Sequence, residues 1–170
     1  MSLYSISIPQ MTRILGQVPG WLDKAKACGE QKKFDPEVLL SARLAPDQWA
    51  LARHIQVITL APQRLSALLR GLEPPPFEAG EATFEALRAG IDASIKQMNE
   101  QKPEDFDGDE DRLIPLPFMK GKGMKASDFV TQFTLPNFYF HATTAYAILR
   151  HNGVDVGKMD YLGELSIRDL

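Results

Sequence analysis

The chain has 170 residues, the length of one domain with room to bury a core. Nineteen basic side chains against 22 acidic ones leave a formal charge of −3, which excludes the broad basic field that nucleic acid or an anionic membrane surface selects. Hydrophobic residues at 44% match a soluble globular protein, and the single cysteine, Cys28, excludes a disulfide framework and both four-cysteine and Cys₂His₂ zinc sites.

The opening residues Met1-Ser2-Leu3-Tyr4-Ser5 lack the basic stretch and apolar core of a secretory signal. No apolar run is long enough to span a bilayer, so the expected setting is the reducing cytoplasm. Ile8, Met11, Leu15, Val18, Leu22 and Ala25 then recur at steps of three and four, one stripe of a helix. Gly16, Pro19 and Gly20 predict a kink within it. Cys28 extends its apolar edge and has no neighbouring histidine to activate it. Residues 31–44 form a connection, with a helical turn over Asp35 to Leu40.

A second helix is expected to open at Ala45-Pro46-Asp47 and to bury Leu51, Ile55, Ile58, Pro62, Leu65 and Leu69, bending at Pro62. Gly71 ends it, and Glu73-Pro74-Pro75-Pro76 makes a stiff link. The third helix spans Glu81 to Gln101, with Phe84, Leu87, Ile91, Ile95 and Met98 inward. Pro103 to Lys125 reads as non-helical, its two prolines confining Arg112 to Phe118 to an edge strand or extended arm, with a hairpin turn over Phe118 to Gly123. The fourth helix is expected to be capped at Ser127-Asp128, kinked at Pro136 and closed by the left-handed Asn152-Gly153. The tail from Val154 is expected to dock across the helices. The whole, residues 1–170, is predicted to be one all-α up-and-down four-helix bundle with a small β-hairpin between helices three and four.

Two segments imitate ligand loops. Asp105, Asp107 and Asp109 resemble the start of a calcium-binding EF-hand loop, but Glu110 stands where the turn needs glycine and Leu116 where it needs the bidentate glutamate. A solvated acidic loop fits better. Lys120-Gly121-Lys122-Gly123 lacks the spacing of a phosphate loop and reads as a turn.

The fourth helix carries the chemistry. Thr134, Asn137, His141 and Thr144 fall within about 80° of helical arc, a polar stripe on a helix otherwise filled by Phe129, Phe133, Phe138, Phe140, Tyr146 and Leu149. Buried polar groups need partners, so the stripe is either an internal network or a polar pocket. On the second helix His54 lies at the edge of the apolar arc and can point inward, with Arg53 and Gln56 facing water. His54 and His141 on facing helices make a metal-compatible pair, one ligand short of the usual catalytic zinc set. His151, in the last turn, complements the helix dipole instead.

Leu135-Pro136-Asn137-Phe138-Tyr139-Phe140-His141, the run Ala145 to Val154, and Gly157-Lys158-Met159-Asp160-Tyr161-Leu162-Gly163 together resemble the uncharacterised bacterial family DUF1993. Leu44-Ala45-Pro46-Asp47 with Leu51-Ala52-Arg53 is similar to that family's second-helix signature. The resemblance implies a place in the DinB/YfiT-like superfamily of metalloenzymes, a four-helix bundle, and a divalent metal such as Zn, Ni, Fe or Mn. Superfamily members of known role include metal-dependent thiol transferases. Their site takes one histidine from the second helix and a His-x-x-x-His pair from the fourth. Here His141 matches the first member of that pair and the second falls on Ala145, while His54 stands on the right helix, at a place where the family signature often has glutamine. The expected function is therefore a small-molecule or thiol transferase, current or former, with its pocket between helices two and four. The alternative is a non-catalytic bundle that forms a homodimer and whose polar stripe is structural.

Overall fold

A computed structural model describes residues 2–78, 80–106, 111–116 and 119–169. The stripe that begins at Ile8 is carried by two helices, α1 (Ile8–Leu15) and α2 (Val18–Lys32), because the chain breaks at Gly16-Gln17. Pro19 then stands in the first turn of α2, where its missing N–H costs nothing. A 3₁₀ turn over Pro36–Ser41 follows, its Asp35 carboxylate accepting from the Glu37 N–H at 3.0 Å.

The second long helix, α3 (Leu51–Leu69), starts four residues later than Asp47. Ala45 to Gln48 forms a turn instead, closed by Gln48 N–H to Ala45 O at 3.0 Å, and Ala50 is extended (φ −74°, ψ 161°). Extended backbone here lets Trp49 fold back over α3, which a helix running through position 49 would not allow. The helix continues through Pro62, and Gly71, at φ +72°, turns the chain away.

Thr83 caps α4 (Phe84–Asn99), its hydroxyl accepting from the Ala86 N–H. A 3₁₀ turn over Pro103–Phe106 leads to the hairpin of β1 (Leu113–Pro115) and β2 (Gly123–Lys125), paired antiparallel with Ile114 opposite Met124. Residues 107–110 of the acidic loop, and Phe118 of the expected turn, lie outside the described residues. Asp111 pairs with Lys125 at 2.8 Å.

The last long helix is composite: α5 (Ala126–Asp128), a π-helical segment Phe129–Thr134, and α6 (Leu135–His151). Ser127 and Asp128 lie inside its first turn rather than capping it, because Lys125, in β2, holds the cap position. Pro136 was the expected kink; the chain accommodates it by widening the turn just before it. Proline removes one N–H and crowds the carbonyl four residues back, and the π turn moves that carbonyl aside. Gly153 (φ +82°) ends α6 in the left-handed conformation.

The tail docks through α7 (Lys158–Leu162): Trp21 Nε1–H donates to Asp160 O at 2.8 Å, Tyr161 stacks on Trp21, and Lys24 pairs with Asp160 at 2.7 Å. One continuous apolar core, from Leu3 to Val156, joins α1, α2, α3, α4 and α6. The architecture is an all-α bundle in which α3 packs between α6, α4 and α1. Among the described residues no helix is long and apolar enough to cross a membrane.

Candidate functional site

Antiparallel packing of α3 on α6 brings His54 and His141 together. Both are buried, at 2% and 6% exposure, and their Nδ1 atoms lie 2.8 Å apart. His54 Nε2 lies 3.2 Å from Trp49 O. A carbonyl only accepts, so His54 Nε2 carries the hydrogen and His54 Nδ1 is the bare nitrogen. His141 must then donate through Nδ1–H, which leaves its Nε2 lone pair free. That atom bonds to no protein group and is open to solvent, on the side where His141 lines a cavity.

Burial pushes both imidazoles toward the neutral form. His141 is lowered from 6.5 to about 4, first by desolvation and then by the neighbouring His54. His54 is also lowered by burial, partly offset by its bond to Trp49 O. At neutral pH the pair therefore holds one shared hydrogen and no charge. His54 fixes the tautomer of His141 as an orienting residue fixes a base, and what His141 presents is a neutral acceptor of low basicity.

The cavity, about 550 Å³, runs between α3 and the composite helix. This volume falls within the range of small-molecule sites. From α3 come Val57, Ala61, Arg64, Leu65 and Leu68; from the other side come Phe129, Phe133, Thr134, Asn137 and His141; Trp49, Pro74 and Phe77 close it from the links. Three of the four stripe residues thus face one cavity. Neither the Thr134 hydroxyl nor the Asn137 amide has a hydrogen-bond partner in the protein among the described residues, and neither is sealed from solvent. Thr144 behaves differently: its hydroxyl turns back to Phe140 O at 2.7 Å and does not line the space. His151 is exposed at the end of α6, away from the site.

Two expectations need correction. Arg53 does not face water: its guanidinium lies 3.8 Å from the centre of the Phe77 ring and 5.3 Å from that of Trp49, because Phe77 returns from the proline link to cover it. Gln56 is likewise half-buried, its Nε2 donating to Gly80 O. Trp49 went unnoticed in the sequence, yet its ring lies parallel to His141, 5.5 Å away and inclined by 12°. It is the residue before the N-cap of α3 and His54 is the fourth residue of that helix, the spacing of a hydrophobic staple. That spacing was the available signal.

Residues 3–162 match the family described as "Domain of unknown function (DUF1993)". The chain belongs to this family. The DUF1993 chain is also similar to the crystal structure of a DinB family member protein from Shewanella denitrificans, with 36% identity and a TM-score of 0.92 over 99% of this chain and 96% of that one. No curated protein matches it.

The superfamily resemblance implies a divalent metal, and the donors in this DUF1993 chain do not fit one. Among the described residues no group of three His, Cys, Asp or Glu converges. Ala145 puts a fully buried methyl at the third position. The 2.8 Å between the two Nδ1 atoms is a hydrogen-bond length, whereas two nitrogens on one tetrahedral zinc stand about 3.3 Å apart.

Proposed function

We propose that this protein binds a small organic molecule in the cavity between α3 and α6, and that His54 and His141 hold a proton there rather than a metal. His141 meets the ligand through Nε2 as a neutral hydrogen-bond acceptor, with Asn137 and Thr134 beside it. The observation that carries the reading is a set of three polar groups on one cavity wall, the Thr134 hydroxyl, the Asn137 amide and His141 Nε2, that no protein group satisfies among the described residues. A purely structural network closes on itself, as Thr144 does; this one stays open toward a space of ligand size.

Ligand-observed NMR with a fragment set, on the parent and on Asn137→Leu and His141→Gln, tests it. Fragments that bind the parent should lose affinity in both variants while the fold persists. Equal binding in all three proteins would dismiss the pocket. Incubation with Zn, Ni, Fe or Mn followed by gel filtration should leave substoichiometric metal. Stoichiometric retention that His141→Gln removes would instead favour the metal-dependent transferase.

A second reading has its own observation. Phe140 and Trp49 leave 54% and 49% of their surface exposed beside the histidine pair. A second copy covering them would make this a dimerising bundle. Sedimentation of the parent and of Phe140→Ser decides: a dimer that the substitution dissociates supports that reading, and a monomeric parent removes it.

A further inference from the structure

Charge along the cavity is one-sided. Arg64 is the one ionised side chain among its described lining residues, and no carboxylate stands there. The guanidinium gives one N–H to Pro75 O and pairs with no acid among the described residues, so further donors are uncommitted. Arg53 lies eleven residues earlier, close to three helical turns, so it shares that face of α3 about 16 Å along the axis. It too has no acidic partner among the described residues, and its NH1 is buried with no hydrogen bond at all. Arg53, held against Phe77 and Trp49 just behind the cavity wall, and Arg64, in the wall itself, both lack an acidic partner among the described residues and together make a positive field that favours an anion. Between them the floor is apolar, formed by Val57 and Ala61, with Phe133 opposite.

Resting on the ligand-site reading above, we infer that the cavity takes an organic anion: an extended apolar body carrying a carboxylate or a phosphate monoester, its head on Arg64. A guanidinium fork matches both heads through paired N–H donors. The elongated body fits a space walled by two antiparallel helices. Thr134 and Asn137 supply hydrogen bonds to polar atoms on the head or next to it.

Four probes of one chain length separate the possibilities: decanoate, decyl phosphate, decanamide and decylammonium, each below its micelle concentration. Calorimetry and tryptophan emission, with Trp49→Phe as the control for the cavity signal, read binding to the full chain. Both anions should bind at least tenfold tighter than the amide, and the ammonium ion most weakly. The tighter anion names the head. Arg64→Gln should bring the anions down to the level of the amide and leave the amide unchanged. Arg64→Lys should keep most of the anion affinity, which separates lost charge from lost packing. If the amide or the ammonium ion matches the anions, or Arg64→Gln changes nothing, the ligand class is wrong while the pocket stands. If none of the four binds and Trp49 emission does not move, the pocket falls and this inference with it.

Discussion

Acid should destabilise the protein through His141, and His141→Gln should remove that part of the loss. The native imidazole is held at about 4, while in the unfolded chain it has its ordinary value of 6.5. A histidine depressed in this way stays neutral in the native state while the unfolded chain takes up a proton. Stability is therefore full above pH 6.5 and drains away as the pH falls toward 4. At pH 5 the unfolded imidazole is almost wholly protonated and the native one about a tenth so, which costs about 2 kcal/mol relative to pH 7. His54, lowered by the same burial, adds in the same direction. The glutamine variant can still donate to His54 Nδ1, so its own cost at pH 7 should be about 1 kcal/mol. The two stability curves should therefore cross between pH 7 and pH 5, the variant being the more stable at the lower value. Urea unfolding of both proteins at pH 7, 6 and 5, followed by circular dichroism with a common m-value, measures this directly. Carboxylates that titrate in the same range are shared by the two proteins and cancel. Parallel curves, or an NMR titration placing His141 near 6.5, would refute the tautomer and burial reasoning.

Trp49→Ala should let water reach the pair, raising the His141 titration point and costing about 1–2 kcal/mol; an NMR titration alongside a melting curve checks both. Gly153→Ala should cost about 1 kcal/mol in a thermal melt, since residue 153 sits at φ +82° and the one close atom among the described residues, Lys32 Nζ, can swing aside. Ala145→His should create zinc affinity that calorimetry does not find in the parent, at about 1–3 kcal/mol of overpacking in a fully buried place. Calcium titration should show no micromolar site, and Asp107→Asn should leave the trace unchanged.

The bundle was legible because its helices bury stripes at regular spacing: Phe84, Leu87, Ile91 and Met98 on α4 are all buried as their phase requires. His141 and His54 were legible for the same reason, one on the polar stripe and one at the margin of an apolar arc. Periodicity says nothing about residues outside helices, so Trp49 and Phe77, which close the cavity, were invisible to it. Arg53 was misplaced because a helical wheel assigns it to solvent, whereas Phe77 comes back from the proline link to cover it. The start of α3 was set too early by Pro46 and Asp47, whose capping preferences serve a turn there instead. Thr144 belongs to the polar arc but satisfies itself within its own helix, and spacing alone cannot foresee that choice.

The widened turn at Phe129–Thr134 amounts to one residue inserted into a helix, and an inserted residue shifts phase. Wound as an uninterrupted α-helix, in which each residue advances by about 100°, the same residues would put Phe129 about a quarter-turn away from the wall it now shares with Asn137 and His141. Deleting one residue from this segment would close the turn into a regular α-helix and keep Phe129 on that wall, because the widened turn takes up the extra residue. The width of that one turn, more than the identity of its residues, sets which side chains of this helix look into the same space.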